Sequence, residues 1–233
     1  MAIIELVGLA GTGKSTLSKA LAERTNNIRL EALPRLGQVK SIPFVLRHTF
    51  SILPILPGIY LHKNQRCSAW DHFKLTMLLY GWHERLHVKA LENESVFVLD
   101  QGPVYMMAYE TLFGTGRIQS EFSRRSWDHV FHRWAETLDM VIWLDTHLPV
   151  LTERIRKRET RHGVKSKSDA DAYQYLASYR QAYEYVISRL TACSDKLKIL
   201  SFDTGENSLD ETLSKVITEL SHVFPQVKPL QAN

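Results

Sequence analysis

Cysteine is scarce in this chain, with only Cys67 and Cys193 in 233 residues. Two thiols without metal-ligand spacing exclude a disulfide framework, fit a reducing compartment and read as inert packing residues. Long apolar runs are lacking as well. The most apolar stretch, Ser41 to Leu61, is broken by Arg47, His48, Pro54, Pro57 and Gly58, and falls short of the roughly 18 clean apolar residues that suggest a membrane span. Charge of one sign is not in excess: 29 Lys and Arg against 25 Asp and Glu leave +4, so no broad field for a nucleic-acid polymer exists and any basic site is local. The start, Met-Ala-Ile-Ile-Glu-Leu-Val-Gly, has neither a basic segment nor a small-residue cleavage site. A cytoplasmic protein without a signal peptide is therefore expected. Internal repeats and low-complexity linkers are also missing.

What is present is a composition of 44% hydrophobic and 23% charged residues, ordinary for a globular chain with one sizeable core. Short apolar runs at Ala2 to Val7, Ile28 to Ala32, Val96 to Leu99, Met140 to Leu144 and Leu197 to Phe202 read as buried strands. Between them lie helical patterns at Lys14 to Arg24, Trp70 to Leu91, Val104 to Phe113, Glu121 to Leu138, Leu148 to Arg158, Ala170 to Thr191 and Leu209 to Phe224, the last capped by Ser208. This alternation predicts an α/β fold, a five-stranded parallel sheet covered by helices on both faces. The expected layout is a single domain over 1–224, with an acceptor-side helical segment near 34–92, a lid near 154–168 and a frayed tail over 225–233. The greasy stretch Phe50 to Tyr60 reads as part of a helical hairpin packed over a ligand cleft, with contact to a membrane surface through 41–61 as the other reading.

Gly8 to Ser15, Gly-Leu-Ala-Gly-Thr-Gly-Lys-Ser, fits G-x-x-x-x-G-K-[ST] and sits between a strand and an amphipathic helix, where a phosphate-binding loop belongs. Glycines 8, 11 and 13 let the backbone wrap an anion, while successive N–H groups and the helix N-terminus supply positive potential. Lys14 is placed to reach the terminal phosphates and Ser15 to ligate Mg²⁺. Thr12 and Thr16 complete the nucleotide-contacting set. Asp100 ends the strand Val96 to Leu99 and faces the phosphate end, as metal ligand or proton acceptor. Glu31 ends the second strand, and the pair Asp100 and Glu31 leaves open which is base and which binds metal. The basic run from Thr152 to Lys167 reads as a lid in which Arg154, Arg158 and Arg161 neutralise charge on a transferred phosphoryl group.

With these residues in place, the chain resembles the thymidylate kinase and deoxynucleoside kinase branch of the P-loop kinases. The likeness covers most of the chain and rests on the glycine loop, Asp100, the lid entry Leu-Thr-Glu-Arg-Ile-Arg-Lys-Arg, the later helix Tyr-Leu-Ala-Ser-Tyr-Arg-Gln-Ala-Tyr-Glu, and the final strand and turn. It implies a three-layer sandwich with sheet order 2-3-1-4-5, Mg²⁺-ATP as donor, and an adenine seat near Asp203 to Asn207. Two features depart from the family pattern. Gln101 stands where an Arg usually follows the acid, and Glu31-Ala32-Leu33-Pro34 matches the Glu-Pro of nucleoside kinases only loosely.

His83-Glu84-Arg85-Leu86-His87 fits H-E-x-x-H, which on a helix points to a zinc hydrolase with Glu110 within reach as a third ligand. Arg85 between the histidines counts against it. Phe44, Trp70, Phe73, Tyr80, Trp82, Tyr105 and Tyr109 read as a pocket lining, or as plain core. The combined expectation is an ATP-dependent kinase acting on a small acceptor, a nucleoside or nucleotide first, then a sugar, lipid-linked or natural-product alcohol. A P-loop regulator with slow hydrolysis is the alternative class, and a homodimer is left open.

Overall fold

The computed structural model describes residues 2–34, 36, 38, 41–53, 69–91, 95–114 and 121–230. Strand β1 (Ala2–Gly8) is buried along its whole length, because its alternate residues serve two different cores. Ile3 and Val7 join one apolar cluster, while Ala2, Ile4 and Leu6 join the other. The same division recurs in β4 (Met140–Asp145), where Val141 and Trp143 face the first cluster and Met140, Ile142 and Leu144 the second. Continuous apolar runs are thus what a strand covered on both faces requires.

With β2 (Ile28–Glu31), β3 (Val96–Leu99) and β5 (Lys198–Asp203), these strands form one all-parallel sheet in the order β2-β3-β1-β4-β5. Leu99 pairs with Glu5 across β3 and β1, and Gly8 with Leu144 across β1 and β4. One face carries α1 (Lys14–Arg24) and α8 (Leu209–Val223), whose Leu17, Leu21, Leu213 and Val216 fill the second cluster. The other carries α3 (Ala69–Leu91), α4 (Pro103–Phe113), α5 (Glu121–Thr137) and α7 (Asp169–Cys193), packed around Trp82, Trp134 and Tyr183. Helix α6 (Leu148–Lys157) follows β4 and buries Leu151 and Ile155. Ser208 caps α8 in a full capping box with Glu211, as the sequence suggested.

Two expectations need correction. The helical segment expected here is present from its start as α2 (Ile42–Ile52), with Pro43 in its first turn, but it does not cover the cleft. This helix packs on α3 beside Gly81, where a Cβ would lie 2.5 Å from the ring of His48, and it does not line the phosphate-binding end. Residues 54–61 of that stretch, and Cys67, lie outside the described residues. The expected frayed tail is docked as far as residue 230: Val227 is buried, Asn26 donates to the Lys228 carbonyl at 3.0 Å and Leu230 donates to the Arg24 carbonyl at 2.9 Å. Among the described residues no helix is long and apolar enough to cross a membrane. Cys193, at the end of α7, is a free, half-buried thiol that burial pushes above its usual pKa.

Candidate active site

Strand β1 delivers the chain to a turn that only glycine tolerates. At Gly8 φ is +152°, and a Cβ there would sit 2.2 Å from the Leu144 carbonyl oxygen of the neighbouring strand. Gly13, at φ +91°, leads directly into α1 and leaves the first N–H groups of that helix facing outward. Thr12 is buried and donates its hydroxyl to the Leu9 carbonyl at 2.9 Å, so it braces the loop from inside. Lys14 bends back over the loop, its Nζ donating to the carbonyls of Gly8 at 2.7 Å and Leu9 at 3.0 Å. Burial lowers its pKa to about 8, with Asp100 and Glu5 opposing that drop.

Because β3 lies beside β1, the residue after Leu99 emerges next to this loop. That residue is Asp100, and its Oδ2 accepts from the Ser15 hydroxyl at 2.6 Å. The two predicted Mg²⁺ ligands therefore meet. Both are hard oxygen donors, which suits a small divalent cation that keeps most of its waters. They open into a cleft of about 350 Å³ with Lys14 on its floor and Arg158 and His162 from the loop after α6. Tyr105, Tyr175, Tyr179 and Tyr183 form an aromatic wall. Burial raises the phenol pKa values of Tyr179 and Tyr183, so both stay neutral and act by contact and hydrogen bonding. Burial and Arg158 push His162 the other way, towards the neutral imidazole.

The remaining predicted residues separate. Arg154 is not in the cleft: its guanidinium donates to Thr204 O at 2.9 Å, Thr204 Oγ1 at 3.3 Å and Gly11 O at 3.4 Å, tying the glycine loop to the turn after β5. With Thr16, Asn207 and Ser208 it borders a second cavity of about 240 Å³ behind the loop, against the expected adenine seat. Asp203 does not border it, and instead holds that turn by accepting from Gly205 N–H at 2.7 Å. Arg161 is exposed and lines neither cavity. Glu31 is taken up by Lys89 at 2.5 Å and does not border the phosphate cleft. Of the seven aromatic residues proposed as pocket lining, only Tyr105 reaches the cleft. Trp82 is core against Trp134, and Trp70 stacks on Phe73.

Sequence reasoning missed Glu5. This carboxyl in mid-strand β1 has no exposure and accepts three backbone N–H groups, Gly102 at 3.0 Å, Val104 at 2.9 Å and Tyr105 at 3.1 Å. It pins the start of α4 and with it the turn that carries Asp100 and Gln101. Gly102 is needed there because a Cβ would meet the Glu5 carboxyl carbon at 2.6 Å. Burial raises the Glu5 pKa to about 8, although the three N–H groups and Lys14 pull it down. A lone acid in an apolar strand was the only signal available. For the tyrosine wall the signal was better, since residues 175, 179 and 183 recur every four positions on one face of α7.

The H-E-x-x-H segment lies on α3, away from this cleft, beside a larger cavity of about 1030 Å³. His83 Nε2 is 2.8 Å from Arg133 Nη1, which leaves no room for a cation there, and burial with Arg133 lowers its pKa to about 4. Glu84 pairs with Arg47 at 3.0 Å, His87 is exposed, and Glu110 is buried against His72 at 2.9 Å. Among the described residues no group of three could hold a metal ion, so the zinc-hydrolase reading loses its geometry.

Comparison with known proteins agrees with the fold. A family model described as an AAA domain matches residues 4–174. No curated protein sequence matches the chain. Among solved structures, thymidylate kinase from Candida albicans is similar at 15% identity and a TM-score of 0.57, covering 100% of this chain and 96% of that one. Deoxyadenosine kinase from M. mycoides, with dCMP and dCDP bound, is similar at 13% identity and a TM-score of 0.53, covering 95% and 99%. The YorR protein of Bacillus subtilis, in complex with phosphorylated GDP, reaches 19% identity and a TM-score of 0.52, covering 95% and 98%. At these identities the likeness establishes the P-loop nucleotide-kinase fold.

Proposed function

This chain belongs to the family of AAA domains, and on that premise we propose that it transfers the γ-phosphoryl group of ATP to a small acceptor, a nucleoside or nucleotide. The observation that carries the proposal is the 2.6 Å contact between Ser15 and Asp100 at the mouth of the glycine loop, facing Lys14 and Arg158. A hydroxyl and a carboxylate meeting beside phosphate-binding N–H groups is the arrangement phosphoryl transfer needs, whereas a slow regulatory switch needs no walled acceptor space. Mg²⁺, held by Ser15 and Asp100, would neutralise charge on the terminal phosphates.

The acceptor oxygen forms a bond to the γ-phosphorus while the bond from that phosphorus to the β–γ bridging oxygen breaks, releasing ADP. Where the acceptor is a nucleoside hydroxyl, its proton passes to Asp100, the carboxylate bordering the cleft, in preference to Glu31, which Lys89 already engages; a nucleotide acceptor attacks through an ionised phosphate oxygen and releases no proton. Lys14 and the lid residue Arg158 stabilise charge on the transferred group. Arg154 belongs with the donor base rather than with the transferred phosphoryl, since it faces the turn after β5. The tyrosine wall and Gln101 present planar aromatic faces and amide hydrogen bonds, which suit a nucleobase better than a sugar alone.

The test is ATP turnover with Mg²⁺ across nucleosides, nucleoside monophosphates, sugars and amphipathic alcohols, with the phosphorylated product identified by mass. A phosphorylated nucleoside or nucleotide supports the proposal. A phosphorylated sugar or lipid-type alcohol moves it to the alternative acceptors, and acceptor-independent slow hydrolysis moves it to the regulator class. Asp100→Asn should reduce turnover at least about 10²-fold if the carboxylate takes the proton, in the range general-base groups contribute.

A further inference from the structure

Helix α2 is built the wrong way round for a helix whose surroundings are only water and its own core. Its polar His48 is buried against α3, and Ile52 beside it has no exposure, while Ile42, Leu46, Phe50 and Leu53 at its outer face are 51%, 64%, 79% and 55% exposed. At 100° per residue these four fall within an arc of about 80°, a single continuous stripe. Isolated exposed apolar residues are ordinary on a protein surface, but a helical stripe of four that includes Phe marks a contact surface. Arg47 flanks the stripe, itself 74% exposed, with its inner side paired to Glu84.

The charge pattern says what kind of surface. From residue 32 to residue 70 the sequence contains no Asp or Glu, but five cations, Arg35, Lys40, Arg47, Lys63 and Arg66. The remaining 24 Lys and Arg in the chain stand against all 25 Asp and Glu, so the whole excess of positive charge belongs to the region that includes α2. A second copy of this helix, which contains no Asp or Glu, would bring no counter-charge to Arg47. An apolar layer topped by negative charge matches both properties.

We propose that the outer face of α2 seats on a membrane surface carrying anionic lipid headgroups. Leu46 and Phe50 enter the headgroup–acyl boundary, and Arg47 stays at the level of the phosphates. The proposal is independent of which acceptor the enzyme phosphorylates, because neither α2 nor its stripe borders the phosphate cleft.

The experiment is cosedimentation of the full chain with vesicles of mixed phosphatidylglycerol and phosphatidylcholine, and with vesicles of phosphatidylcholine alone. Binding is expected on the anionic vesicles at low ionic strength, falling as salt is raised and lost on the neutral ones. Leu46→Ser and Phe50→Ser should each weaken partitioning about tenfold or more, and Arg47→Ala about fivefold. Thermal melting and ATP binding should be unchanged in all three, since the altered side chains lie outside the core. No binding to anionic vesicles overturns the proposal, as does binding that the two Ser variants leave unaltered. A concentration-dependent dimer that Leu46→Ser or Phe50→Ser converts to monomer, without vesicle binding, assigns the face to a second copy instead.

Discussion

Two regions of this molecule gather histidine, arginine and an acid around a concavity, and we assign the proposed chemistry to only one of them. Around the glycine loop, charges are held apart by backbone. Lys14 lies over carbonyls, Asp100 meets a hydroxyl, and Arg158 faces the cleft from a separate loop. In the groove between α2, α3 and α5, the charges answer one another: Glu84 lies within 4.0 Å of Arg47, His48 and Arg133, and Arg133 occupies His83. The second groove is about three times larger by volume, and size alone would favour it as the binding site. The kind of partner, rather than size, separates them: backbone carbonyls and a neutral hydroxyl hold the glycine-loop charges, which an anion and its cation can displace, whereas opposite charges neutralise one another in the groove.

That contrast can be broken most decisively at Lys14. Lys14→Ala should reduce turnover by at least about 10²–10³-fold without unfolding the protein, because the role proposed for it is to stabilise charge in the transition state. An unchanged single-turnover rate would remove the glycine loop from the mechanism. Next comes Arg154→Ala, which should raise KM for ATP about tenfold while changing kcat less, since its hydrogen bonds hold the base-side turn and not the transferred group. A drop confined to kcat would return Arg154 to the transferred phosphoryl.

Glu5 sharpens the comparison through pH. Its folded-state pKa of about 8 lies above the ordinary 4.5, so between those values the folded chain holds a proton that the unfolded chain has released. Stability should therefore fall as pH rises from about 4.5 to about 8. Lys14 works in the opposite sense: its pKa of about 8 lies below the ordinary 10.5, so between these values the unfolded chain holds the extra proton and stability should rise with pH. Melting temperatures of the nucleotide-free protein should pass through a minimum near pH 8. Glu5→Gln should flatten the acid-side slope, and at low pH it should cost about 1–3 kcal/mol through backbone N–H groups left without a full acceptor set. The smallest effect is expected from His83→Ala, whose turnover should stay within about twofold and whose stability loss should stay near 1 kcal/mol. A large loss of activity there, restored by Zn²⁺, would reverse the ranking of the two regions.

Much of the fold could be read from the chain because β1, β3 and β4 are buried on both faces and so appear as near-continuous apolar runs, interrupted within β1 by Glu5 alone. Asp100 was legible for the same reason, as the first charge after such a run. Glu5 was not legible as a support, because its three partners lie 97 to 100 residues away and nothing local announces them. Glu31 shows the converse. It ends a strand just as Asp100 does, yet β2 is the sheet edge, where Lys89 from α3 reaches it. Strand-end position alone could not tell the two apart, since sheet order decides which strand end adjoins the loop. For α2 the helical reading was right, with Pro43 in the first turn where proline starts a helix, but its place away from the phosphate cleft depends on packing against α3 that no local pattern announces.

Arg154 bonds at once to Gly11 and to Thr204. One rigid guanidinium therefore makes the turn after β5 and the phosphate loop a single inheritable unit. An engineer who transplants a β5–α8 turn from a kinase with another donor preference inherits the geometry of residue 154 with it. Such chimeras should succeed when residue 154 and the turn are exchanged together, and fail when either is exchanged alone.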